Sequence, residues 1–131
     1  EMLNKKNSII VTGGHGMDEI NINGENKITF PGGEIKQFLA SSIGIAIQNE
    51  KELDGGDVTY NSLRINEIFS GTKDSFYEIV ALNSAFALSL SQVENISENI
   101  ISENYKLAKD LLDSGLALKK LNELVEFTKS Y

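Results

Sequence analysis

The strongest constraint on this chain lies between residues 8 and 20. A short continuous apolar run, Ser8-Ile9-Ile10-Val11-Thr12, ends in Gly13-Gly14-His15-Gly16 and then in two adjacent carboxylates, Asp18 and Glu19. Such a run predicts a strand buried on both faces. In open α/β sheets, ligands sit in the crevice beyond the carboxyl ends of the strands. Two hard oxygen donors there suit Mg²⁺, which takes one or two carboxylates and leaves its other positions to water and substrate phosphates. Adjacent side chains of an extended backbone point to opposite sides, so a shared site needs a bend at Asp18-Glu19. The glycines just upstream make that bend easy. The segment Gly16-Met17-Asp18-Glu19 equally suits a surface turn carrying two solvated acids.

The rest of the first third reads as a small antiparallel meander. Ile20 and Ile22 alternate with Asn21 and Asn23, Asn23-Gly24-Glu25-Asn26 signals a turn, and Ile28 and Phe30 resume the alternation. Pro31-Gly32-Gly33 marks the next turn before Glu34 to Leu39, and residues 41 to 57 read as a linker without clear periodicity. Beyond them the spacing is helical. Asp57 is a good N-cap for a helix from Val58 to Ser70, with Gly71 as its stop. Asn61, Ile65, Ile68 and Phe69 share its face. A second helix is predicted from about Asp74 to Ser91, capped by Asp74 or Thr72. Its face is Phe76, Ile79, Val80, Asn83, Phe86, Ala87 and Leu90. Two more run over about Asn99 to Asp113 and Leu116 to Lys129, punctuated by Ser114-Gly115. Asn61 and Asn83 stand on otherwise apolar faces. A buried amide without partners costs roughly 1–3 kcal/mol, so each is a ligand contact or a clamp on a neighbouring loop's backbone.

Composition narrows the functional classes. The 131 residues, 40% apolar and 24% charged, are one ordinary globular domain's worth of chain. With no cysteine and one histidine, His15, neither a disulfide framework nor an all-protein zinc site is expected. A net charge of −7 and a single arginine, Arg64, argue against nucleic acid, whose phosphates need clustered cations. A phosphate-rich substrate would have to be held by metal, backbone amides or residues outside this chain. No apolar run approaches the ~20 residues of a membrane helix. The start, Glu1-Met2-Leu3-Asn4-Lys5-Lys6, has no signal-peptide core and lacks an initiator Met, as a fragment would. The cytoplasm is therefore the expected compartment, and the sequon Asn95-Ile96-Ser97 reads as chance.

Several blocks occur in an order that matches one enzyme family. Val11-Thr12-Gly13-Gly14-His15-Gly16-Met17-Asp18-Glu19-Ile20 follows the pattern V-x-G-x-x-G-[LM]-D-E-[IL]. Gly55-Gly56-Asp57 with Asn61, Ala81-Leu82-Asn83-Ser84-Ala85, and Ala108-Lys109-Asp110-Leu111-Leu112-Asp113-Ser114-Gly115 come next, then Ala117-Leu118 and Leu121. In this ordered set, from about residue 8 onward, the chain resembles the C-terminal part of anthranilate phosphoribosyltransferases.

The resemblance implies transfer of phosphoribose from 5-phosphoribosyl diphosphate to the amino group of anthranilate, in tryptophan biosynthesis. Mg²⁺ would neutralise the departing pyrophosphate. In the family the Asp-Glu pair supplies the metal ligands, so Asp18 and Glu19 carry over, Glu19 as a bridge between two ions and Asp18 as ligand to one. Asn61, Asn83 and Gly16 fall to structural support. The implied fold is α/β: part of a mixed β-sheet with a short antiparallel meander, followed by about four helices. Residues 1–131 would form the C-terminal part of a catalytic domain of the nucleoside phosphorylase/phosphoribosyltransferase type.

Gly13-Gly14-His15-Gly16 is neither a Walker loop, lacking the Lys-Ser/Thr that follows, nor the family's upstream GTGGD loop. Ser70-Gly71-Thr72-Lys73-Asp74 matches a variable helix–helix connection instead. The KHGN motif, the upstream arginine for anthranilate and the N-terminal dimerisation helices are also absent. The chain alone is therefore expected to be inactive and to self-associate, and the full-length enzyme to be a homodimer. Thr12 stands where many members have His, and Gly14-His15 where an acidic pair is common. These departures bear on loop conformation and partner contacts. His15 reads as an acid/base group or an exposed turn residue. Other readings are a nucleoside phosphorylase or transferase-like paralogue with another acceptor, and a non-catalytic interaction domain.

Overall fold

The computed structural model describes residues 7–48, 53–91 and 96–130. The first six residues, part of the 41–57 segment and Asn95 of the sequon lie outside the described residues. Strands β1 (Ile10–Thr12), β2 (Asn26–Thr29) and β3 (Ile35–Phe38) form one three-stranded sheet in the order β1-β2-β3. Both pairings are antiparallel, with Val11 opposite Ile28 and Lys27 opposite Gln37. Four helices follow, α1 (Val58–Phe69), α2 (Ser75–Ser89), α3 (Glu98–Asp113) and α4 (Leu116–Lys129). This is the expected α/β plan of meander and four helices; within the described residues the sheet is antiparallel throughout.

Two strand expectations are corrected. Among the described residues the run Ser8 to Thr12 is not buried on both faces: Val11 packs inward, but nothing covers the other face, where Ile10 is 70% exposed, and β1 is also an edge strand. Glu19 to Asn23 forms no strand. Ile20 and Ile22 enter the core, but Asn21 and Asn23 are buried beside them. A strand would have sent those amides to solvent; here Asn21 turns onto the backbone of its own loop and Asn23 onto that of Gln48. The linker-like stretch also carries structure, a 3-10 turn at Ala40–Ile43 followed by buried Ile45.

Side-chain caps define where the helices begin. Asp57 accepts from the Tyr60 amide to start α1, and Asp74 accepts from Phe76 and Tyr77 to start α2. Ser97 accepts from Ile100 at α3. Between α3 and α4, Gly115 takes φ +76°, a conformation that favours glycine. The apolar faces differ from the periodic reading. On α1 only Ile68 is buried, with Ile65 and Asn61 exposed. On α2, Ala87 is exposed while Tyr77, Ala81, Leu82 and Ala85 are fully enclosed.

The reason is that α2 is central, and a helix apolar all round is a buried one. Its Ile79, Leu82 and Phe86 meet Ile20, Ile22, Ile28, Phe38 and Ile45 from the sheet side. Phe38 and Phe86 pack edge to face with centroids 5.0 Å apart. Its Tyr77 and Ala81 meet Ile68 of α1 and Ala108 and Leu112 of α3. Polar pairs secure the same contact. Tyr77 donates to Asp113 at 3.0 Å, Tyr105 donates to Glu78, and Lys109 reaches Glu78 at 3.0 Å. Burial first, then the Asp113 bond, push the Tyr77 hydroxyl up to about 12, so it stays protonated and acts as a donor.

The periphery is less well covered. Ile10 on β1 and Ile35 on β3 are 70% and 62% exposed, and both strands are sheet edges. Helix α4 buries no residue and leaves Phe127 59% exposed. Open edges beside apolar side chains favour pairing with another chain. Sedimentation velocity across a hundredfold concentration range is expected to show reversible self-association of this polypeptide. A strict monomer at the highest concentration would refute it.

Candidate functional site

The acid pair sits on a loop that is locked at several points. After β1, the Gly13 N–H donates to the Met17 carbonyl at 2.8 Å and closes the turn through Gly14–Gly16. His15 and Gly16 both take positive φ, +60° and +82°. The backbone then bends at Asp18 and Glu19, and both side chains are exposed. A Cβ on Gly13 would lie 1.9 Å from the Glu19 carbonyl oxygen, and one on Gly14 2.2 Å from that of Asn23. Glycine is required at both positions because backbone passes where a side chain would begin. The His15 ring lies against Gly24.

Buried asparagines hold the two ends of this loop together. Asn26 is fully buried, and its Oδ1 accepts from the Gly14 N–H at 3.0 Å and the Asn21 N–H at 2.7 Å. Its Nδ2 donates to the Asn21 and Phe38 carbonyls. Asn21 donates from its own amide to the Gly14 carbonyl at 3.0 Å. Asn23 exchanges a pair of bonds with the Gln48 backbone, both 3.0 Å. From the opposite side Asn83 of α2 accepts from the Ile20 N–H at 2.9 Å and donates to the Ile20 carbonyl at 2.8 Å. The residue it clamps is the immediate neighbour of Glu19.

Thus Gly16, Asp18, Glu19 and Asn83 belong to one unit. Asn61 does not. It exchanges bonds of 2.9 and 3.0 Å with the Gly56 backbone ahead of α1 and is exposed, not on a buried face. The sequence reading missed Asn21, Asn23, Asn26 and Gln48. The available signal was three asparagines within six residues beside a glycine turn, since asparagine amides bond readily to turn backbones.

Although Glu19 is exposed, partial shielding from solvent by its surroundings, and then repulsion from Asp18, raise its carboxyl above the ordinary value. Among the described residues neither acid forms an ion pair. The one arginine is engaged elsewhere, bridging Glu67 and Asp74 and lying over the Phe76 ring, which ties α1 to α2. Asp74 is held below its usual range: burial opposes its ionisation, but the Arg64 bond and two backbone donors outweigh it. No group of three or more His, Cys, Asp or Glu capable of holding a metal occurs among the described residues. Two oxygen donors alone suit a cation that fills its remaining positions with water and phosphate oxygens, as Mg²⁺ does.

Residues 1–118 match the family described as glycosyl transferase family, a/b domain. The chain belongs to that family. Among curated relatives it is 36% identical to anthranilate phosphoribosyltransferase of Acetivibrio thermocellus, over 95% of this chain and 36% of that protein. It is 34% identical to the enzyme of the same name from Petrotoga mobilis, over 98% of this chain and 38% of that protein. The chain therefore spans little more than a third of the length of the curated relatives it matches. Its fold matches the crystal structure of anthranilate phosphoribosyltransferase from Thermus thermophilus with a TM-score of 0.79. The match has 24% identity and covers 93% of this chain and 36% of the other. The a/b-domain assignment agrees with the sheet and helices described above. No helix among the described residues is long and apolar enough to cross a membrane.

Proposed function

We propose that this chain is the metal-binding C-terminal portion of an anthranilate phosphoribosyltransferase. That enzyme joins anthranilate to the phosphoribosyl group of 5-phosphoribosyl diphosphate in tryptophan biosynthesis. The observation that carries the reading is the Asp18-Glu19 pair, without an ion pair among the described residues, at a backbone bend on a locked glycine loop in a chain of this transferase family. Asp18 and Glu19 would hold Mg²⁺, which when bound neutralises charge on the leaving pyrophosphate. The residues' own contribution is placement. Donors fixed before reaction need no reorganisation as charge develops, and such preorganised stabilisation is commonly the largest catalytic term. With Arg64 committed to α1 and α2, phosphate oxygens would be held by the ion or by regions outside this chain. A homodimeric cytoplasmic enzyme, of which residues 1–131 are the C-terminal part of the catalytic domain, is the accompanying proposal.

The test uses the full-length protein, meaning this chain together with the further length its relatives possess. Loss of anthranilate fluorescence with 5-phosphoribosyl diphosphate, abolished by chelation and restored by magnesium, is the expected result. The 131-residue chain alone is expected to give no product. Product from that purified chain would overturn the assignment of substrate sites to other regions. Because the matched family is described as glycosyl transferases and not as one enzyme, nucleosides with phosphate form the second arm. Turnover there, with none on anthranilate, would replace this reading by that of a phosphorylase-type paralogue.

A further inference from the structure

We infer that Asn83 is a positioning residue for Glu19, acting through the backbone of Ile20; the inference rests on the metal reading proposed above. Ile20 is 1% exposed, so its N–H and carbonyl cannot turn to water. Both are satisfied by the one amide of Asn83, at 2.9 and 2.8 Å. That amide is itself oriented by a third bond, from Nδ2 to the Ile79 carbonyl one turn back on α2 at 3.0 Å. Helix α2 is the most enclosed element of the fold, so it is a rigid reference. At the loop's other end Asn26 joins Gly14 to Asn21. These two clamps bracket residues 15–19, and the acid pair lies at the end next to Ile20. A side chain that orients a metal-ligating residue without touching the ion typically changes metal affinity 10–100-fold when replaced.

Asn83→Ser is the informative variant. On the same helix Ser89 donates to the Ala85 carbonyl four residues back at 2.8 Å, so serine at 83 can keep the Ile79 bond while releasing Ile20. Asn61→Ala is the control, since it breaks an equivalent two-bond backbone clamp away from the acid loop. Mn²⁺ binding to the full-length protein is read by electron paramagnetic resonance with pyrophosphate present, alongside exchange of the Ile20 amide hydrogen. Asn83→Ser is expected to weaken Mn²⁺ about tenfold and to speed Ile20 exchange, while Asn61→Ala leaves both unchanged. In a Glu19→Gln background, Asn83→Ser should add little further loss. Unchanged Mn²⁺ affinity in Asn83→Ser, with Glu19→Gln weakened, would overturn the inference and leave the metal reading standing. Equal weakening by Asn61→Ala, or full additivity with Glu19→Gln, would also overturn it. Unchanged affinity in Glu19→Gln would remove the metal reading itself.

Discussion

Glu19→Gln in the full-length protein is expected to lower turnover on the order of 10²–10³-fold, the usual loss when one well-placed electrostatic contact to developing charge is removed. Asp18→Asn should follow the same direction less severely if Glu19 bridges two ions. Both changes keep shape and remove charge, so the loss should appear in a magnesium titration as weaker activation. Stability should move the other way. The raised Glu19 carboxyl means that the folded state holds its proton more tightly than the unfolded chain does. Ionisation therefore costs stability. The cost is absent well below the ordinary glutamate range and fully present above the raised folded value. Accordingly the melting temperature of Glu19→Gln should match the parent at low pH and equal or exceed it as pH rises through that window. Unchanged turnover and magnesium dependence would return the pair to a solvated turn.

The second large effect is steric. Gly13→Ala places a methyl group 1.9 Å from the Glu19 carbonyl oxygen and 3.0 Å from the Met17 Cβ. Neither is the end of a flexible side chain, so the loop must open and surrender the Gly13–Met17 bond. A clash against backbone in a closed turn is expected to cost about 3 kcal/mol or more, lowering the melting temperature on the order of 10 °C. Gly16→Ala is the comparison. Nothing lies within 4 Å of its Cβ, and only the left-handed conformation at φ +82° is strained, about 1–2 kcal/mol. Thermal unfolding should rank Gly13→Ala well below Gly16→Ala. The reverse order would show that the loop is not closed as described.

These two results depend on features of different legibility. The glycine turn and the acid pair are local, and their order along the chain was readable. That Gly13 grazes the Glu19 carbonyl was not, because the close approach arises only when the loop folds back on itself. Likewise the alternation of Ile20 and Ile22 correctly marked two core residues, yet it implied a strand. Asn21 and Asn23 resemble the polar half of a strand until the buried partners that satisfy their amides are known.

Local chemistry determined most element boundaries. The Asp57 cap, the Ser114-Gly115 break and the span Leu116–Lys129 follow from caps, a positive-φ glycine and 3.6-residue periodicity, all written within a few residues of where they act. The order of apolar strand, glycine turn and acid pair was equally local, whereas the bend at Asp18-Glu19 was only a condition that a shared metal site would set. Tertiary structure alone decided that β1 lies at an edge with Ile10 outward, and that α2 buries residues toward both the sheet and the neighbouring helices. It alone joined Asn83 to Ile20 across 63 residues of sequence. Caps and periods are short-range and survive in any context. Which faces become buried, and which amides meet which carbonyls, depends on packing between segments distant along the chain. That packing turns an exposed pair of acids into a held one.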